Sequence, residues 1–159
     1  MAKSLADQVM EEIGQAAENY YRLLVVVAPA GAGKTAAFQE VHRRTGFPIL
    51  NVNLDLSRQM LDLTERQRAL QLPRLLGESV GRIEGDIVLL DNIEILFDLS
   101  LKQDSLRLLQ NLSRNKTLVA AWSGSLKDGY MIYAAPEHPE YRRYELRDFL
   151  VATPDMDEG

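Results

Sequence analysis

Cysteine is absent from the 159-residue chain. That excludes disulfides and thiolate zinc centres, so the core must hold by burial alone, and it suits a reducing cytoplasm. Histidine is scarce: His42 and His138 stand too far apart to form a metal cluster. His138 and Glu140 read as polarity of a Pro-rich loop. Long apolar runs are missing too. The longest, Leu23 to Ala30, is far short of the roughly 20 residues that cross a bilayer. Asp7, Glu11 and Glu12 interrupt any signal-peptide core, so the expected location is cytoplasmic. Positive charge is in deficit, at 18 Lys and Arg against 23 Asp and Glu, a net charge of −5. This argues against stand-alone nucleic-acid binding, since such domains are usually basic. A local basic strip at Arg142, Arg143 and Arg147 leaves direct DNA contact open. There is no internal repeat and no long linker. A single domain over residues 1–152 is expected, opening on a helix over 4–20 and followed by a polar, acidic tail over 153–159.

What is present has a clear order. Leu5, Val9, Ile13, Ala16 and Tyr20 recur every three or four residues and predict an amphipathic helix that covers a sheet face. Leu23 to Val27 is a continuous aliphatic run, the mark of a strand buried on both faces. A helix over Lys34 to Arg44 and a short strand over Pro48 to Val52 follow. Ser57 is a candidate cap for a short helix over 58–62. Pro73 belongs in the first turn of a helix reaching about Arg82, because its ring and missing N–H oppose an interior position. Asp86 to Leu90 is a third strand, Ser100 a candidate cap for a helix over Leu101 to Arg114, and Thr117 to Trp122 a fourth strand. A short apolar piece spans Tyr130 to Ala134, and a final strand lies within Arg142 to Val151. Alternating strands and helices predict a three-layer α/β domain with a mostly parallel, five-stranded sheet. Ligands bind such sheets at the carboxyl ends of the strands.

That position is occupied by Ala28-Pro29-Ala30-Gly31-Ala32-Gly33-Lys34-Thr35. The segment fits the phosphate-binding loop in every position but the first, where Ala28 replaces glycine. Successive backbone N–H groups can wrap a polyphosphate only where side chains stay out of the way. Gly31 and Gly33 permit the necessary backbone angles. The helix that begins here points its positive end at the anion, and Ala36 lies in its first turn. Lys34 is expected on the β- and γ-phosphates and Thr35 on Mg²⁺.

Phosphate-loop enzymes also need an acid at the end of a nearby strand. Asp91, after IVLL, has that place and is the expected second Mg²⁺ residue. A glutamate often follows that aspartate to orient water; here Asn92 follows. Glu94 is the candidate substitute, with an ordinary surface role as the alternative. Ser123, at the end of the fourth strand, is the candidate γ-phosphate sensor. Ser125 and a plain Ser-Gly turn compete with it. The fourth strand is expected between the other two. Asn115-Lys116 resembles half of a guanine-reading motif but precedes its strand and lacks the aspartate, so GTP preference is not expected. Arg142, Arg143, Arg147 and Arg114 are candidates for an arginine acting across a subunit interface, or for surface pairing with carboxylates.

The runs LVVVAPAGAGKT, FPILNVNLDLS, IVLLDNIEILFD and HPEYRRYEL together resemble the BrxF family, small P-loop proteins of BREX anti-phage defence systems, over most of residues 20–150. The resemblance implies an ATP-binding component working beside other BREX proteins. It carries Gly31, Gly33, Lys34, Thr35 and Asp91 to the nucleotide and Mg²⁺, and Glu94 to the attacking water. The core is also similar to the AAA+ type of P-loop domain, though the helical lid that would follow the last strand is not expected here. A slow or assembly-dependent ATPase is therefore expected, with nucleotide-dependent self-association. A non-hydrolysing scaffold is the alternative, which Asn92 favours. A small-molecule kinase is third, disfavoured because residues 123–141 offer Lys127 and no arginine to shield a transferred phosphoryl group.

Overall fold

The computed structural model describes residues 4–133 and 142–154. His138, Glu140 and the end of the expected tail lie outside the described residues. The elements run α1 (Leu5–Ala16), β1 (Leu23–Ala28), α2 (Lys34–Thr45), β2 (Ile49–Asn51), α3 (Val52–Gln59), α4 (Glu65–Arg82), β3 (Ile87–Asp91), α5 (Ser105–Leu112), β4 (Thr117–Lys127), β5 (Tyr130–Tyr133), β6 (Arg142–Glu145) and β7 (Leu150–Ala152). Two single turns of 3₁₀ helix, Glu94–Phe97 and Leu99–Leu101, link β3 to α5. No helix among the described residues is long and apolar enough to cross a membrane.

Five strands pair in parallel in the order β2-β3-β4-β1-β7. This is the expected parallel core, with β4 between the other two principal strands. Alternation along each strand sends side chains to opposite faces. Leu23, Val25 and Val27 of β1 join Val88, Leu90, Leu118 and Ala120 on the face covered by α3, α4 and α5. Leu24 and Val26 join Leu89, Val119 and Ala121 on the face covered by α1 and α2, through Val9, Ile13, Phe38 and Val41. Most of these side chains are wholly buried, and each Val, Leu, Ile or Phe among them contributes about 1.5–3 kcal/mol.

Several local expectations are corrected. The sheet has seven strands, because β4 runs on past Trp122 and pairs antiparallel with β5, which pairs with β6. The single strand expected within Arg142 to Val151 is two strands, β6 and β7. α1 stops at Ala16, and Tyr20 is 66% exposed rather than part of the apolar stripe. Asn51, not Ser57, caps α3, its side chain accepting from the Leu54 N–H at 3.0 Å. Thr64 and Gln67 form a reciprocal capping box that starts α4 eight residues before Pro73. Pro73 thus sits inside the helix. Its missing N–H would orphan the Ala69 carbonyl, and Gln103 Nε2 donates to that carbonyl at 2.8 Å instead. Asp104, not Ser100, caps α5. Lys116 donates to the Val80 and Ile83 carbonyls at the end of α4, so the Asn-Lys pair has a structural use.

Candidate functional site

β1 delivers the loop. Ala28 is still a strand residue, paired with Ser123 of β4. It takes no positive φ, so the glycine of the usual pattern is not needed there. Beyond it the chain turns, with the Ala32 N–H donating to the Pro29 carbonyl at 3.1 Å. Gly31 and Gly33 take φ of 80° and 95°, the left-handed region that a side chain opposes. A Cβ at either would meet nothing within 4 Å. Backbone angle, not crowding from the protein, demands glycine here, and the space stays open to a ligand. Gly33 then begins α2 with no side-chain cap, leaving the first N–H groups of that helix for an anion.

Lys34 is 7% exposed. Its Nζ donates to the carbonyls of Ala28 at 2.8 Å and Pro29 at 3.0 Å. Burial pushes its pKa below the ordinary lysine value, opposed by the negative charges of Glu94 and then Asp91. Asp91 is likewise 7% exposed and sits at the carboxyl end of β3. Its Oδ2 accepts from the Thr35 hydroxyl at 2.9 Å, and its Oδ1 from the Asn92 N–H at 3.0 Å. Asn92 has φ 53°, a left-handed conformation that asparagine tolerates better than glutamate does. The backbone conformation at this position thus suits asparagine better than glutamate. Glu94, at the start of the 3₁₀ turn, accepts from the Ser123 hydroxyl at 3.2 Å.

These residues converge. Ala30, Gly31, Gly33, Lys34, Thr35, Ala36, Asp91, Asn92, Glu94 and Ser123 line one cleft of about 360 Å³. Of the expected set, Pro29 and Ala32 do not line it; Pro29 borders an adjoining cleft with Ser125. The oxygen donors suit a hard cation. The Thr35 hydroxyl and the Asp91 carboxylate, hydrogen-bonded to each other at 2.9 Å, are the pair that would hold it. The candidate arginines are elsewhere. Arg143 lies over the Tyr130 ring at 4.2 Å. Arg114 lies over Tyr20 at 4.6 Å, before β1 rather than after it.

One support of the site had no local signal. Phe97 closes the turn that begins with Glu94. It stacks on Tyr133 at 3.7 Å and meets Trp122, the residue before Ser123, edge-on at 4.9 Å. Trp122 Nε1 donates to the Ile132 carbonyl at 3.1 Å. At Gly124 an added Cβ would lie 1.9 Å from that carbonyl oxygen. The Ser-Gly pair is therefore no simple turn: glycine lets β4 pass against β5.

The fold and this cleft define a class, the three-layer α/β domain of the P-loop type. No family model matches the chain, and no curated protein matches it. Among solved structures it is similar to that of C. elegans PCH-2, with 16% sequence identity and a TM-score of 0.46, covering 96% of this chain and 44% of that one. The chain spans less than half the length of that structure.

Proposed function

We propose that the chain binds MgATP in this cleft and hydrolyses it slowly, with turnover completed by assembly, as a component of a BREX-type phage defence complex. The observation that carries the reading is the Thr35 hydroxyl held 2.9 Å from the Asp91 carboxylate, beside the open loop at Gly31 and Gly33. Lys34 leaves the Ala28 and Pro29 carbonyls to meet the β- and γ-phosphates. The loop N–H groups and the start of α2 cradle the same charge. Thr35 and Asp91 would hold Mg²⁺, which would supply neutralising positive charge to the phosphates. Glu94 takes the water-orienting role that Asn92 cannot fill as a base, and Ser123 fixes the Glu94 carboxylate. The defence setting rests on the sequence resemblance alone.

A second reading is a nucleotide-dependent scaffold that does not hydrolyse. Asn92 at φ 53° favours it, since no carboxylate directly follows Asp91. Phosphate release from MgATP over a series of protein concentrations separates the two, with Lys34→Ala alongside. Turnover per chain that rises with concentration and vanishes in the variant supports the ATPase. Binding without release at any concentration leaves the scaffold. Absence of binding rejects both.

A further inference from the structure

The amino end of the parallel sheet carries a second cleft. It measures about 450 Å³ and is lined by Asn19, Tyr20, Tyr21, Asp148, Phe149 and Leu150, within the range of about 300–1,000 Å³ typical of ligand clefts. Its walls come from the segment before β1 and the segment before β7. The phosphate loop follows β1, six residues on, or about 20 Å at 3.3 Å per residue. The two clefts are therefore separate.

Its chemistry is specific. Tyr20 is 66% exposed, yet it is held: Tyr21 meets it edge-on at 4.9 Å and the Arg114 guanidinium covers it at 4.6 Å. Arg22, next to Tyr21 in the chain, donates through Nη2 to the Arg114 carbonyl at 3.2 Å; the two arginines stand beside the cleft rather than among the residues that line it. Arg147 adjoins Asp148 in the chain. Arg43, Arg44 and Arg74 form ion pairs with carboxylates, whereas Arg22, Arg114 and Arg147 form none among the described residues. A fixed, exposed aromatic ring is a stacking platform for an unpaired base. Guanidinium forks match phosphate oxygens. Asn19 and Asp148 offer oxygen acceptors to the amino group of a base.

We propose that this cleft binds single-stranded nucleic acid, with Tyr20 stacking a base and Arg22 and Arg114 holding the flanking phosphates. A duplex fits poorly, because its bases are already stacked on each other. The net charge of −5 does not oppose a local site of this kind, but it sets modest affinity, and so few phosphate contacts set a shallow salt dependence. This proposal does not rest on the ATP reading.

The test is fluorescence anisotropy with a labelled oligodeoxyadenylate of about 12 nucleotides at low salt. Saturable binding is expected, weakening about tenfold in Tyr20→Ala and in Arg114→Ala, as loss of one stacked base or one charged contact requires. Tyr20→Phe should restore binding, which a merely misfolded Tyr20→Ala could not predict. Two phosphate contacts set a slope of about −1.4 for log affinity against log salt. MgATP binding by Tyr20→Ala should be unchanged. The proposal is overturned by no binding, by equal binding of Tyr20→Ala and Arg114→Ala, by a duplex that competes as well as the strand, or by AMP alone competing as well as the strand.

Discussion

At the carboxyl end of the parallel sheet the chain presents backbone. Gly31 and Gly33 stand at positive φ and α2 starts without a side-chain cap. Lys34 folds onto carbonyls of its own loop. At the amino end of the same strands it presents side chains: Tyr20, Tyr21 and Phe149 beside Arg22 and Arg114. The difference follows from what each end can hold. A polyphosphate needs many donors in a small space, which only bare amides supply. A flat ring needs area, which only aromatic side chains supply. The first arrangement fails when atoms are added, the second when they are removed.

The sharpest break of that contrast is Gly124→Ala. Its methyl would lie 1.9 Å from the Ile132 carbonyl oxygen, so β4 and β5 must separate. A loss of about 3 kcal/mol is expected, at the upper end for overpacking, read by urea unfolding of the single Trp122. A loss under about 0.5 kcal/mol, the range of an ordinary surface change, would mean that the strands yield freely. Next comes Lys34→Ala. Removing a charged donor lowers MgATP affinity about 50-fold, or ~2.3 kcal/mol, by titration calorimetry; unaltered affinity would refute the phosphate cradle. Glu94→Gln should cut turnover about tenfold or more with little change in affinity. Equal turnover would return Glu94 to a surface role.

The pH effect is smaller and has a definite sign. Burial lowers the Lys34 pKa below 10.5. Between that lowered value and 10.5 the unfolded chain binds more protons than the folded one. Without nucleotide, stability at this residue is therefore penalised at neutral pH and recovers as pH rises through the window. MgATP affinity runs the other way, falling over the same window as the ammonium loses its charge. Calorimetric titrations from pH 8 upward check this, and affinity flat to pH 10.5 would show that the ammonium stays charged throughout the window.

The loop was legible because its residues are contiguous and each type has a local reason: two glycines for angle, a lysine for charge, a threonine for a hydroxyl. Asp91 was legible from the aliphatic run before it. The cost of Pro73 inside a helix is local, but its remedy is not: Gln103, thirty residues away, donates to the Ala69 carbonyl that the proline leaves without a donor. Ser57 and Ser100 misled because many polar residues can cap, and only the completed fold selects Asn51 and Asp104. The plain Ser-Gly turn, the alternative to a sensing role for Ser123, gives way to a continuous strand because the antiparallel partner of Gly124 lies in a later segment.

The sequence by itself determined the alternating α/β order, the strand that is apolar on both faces, and the residues of the phosphate loop, since all three are set by periodicity and by the conformational limits of neighbouring residues. Only the tertiary structure decided that Thr35 meets Asp91, that Ser123 meets Glu94, that Tyr20 and Asp148 line one cleft, and that Arg114 lies over Tyr20. Those groups are tens of residues apart along the chain, and no local rule fixes which strand lies beside which. Burial of both sheet faces does, by selecting the order β2-β3-β4-β1-β7.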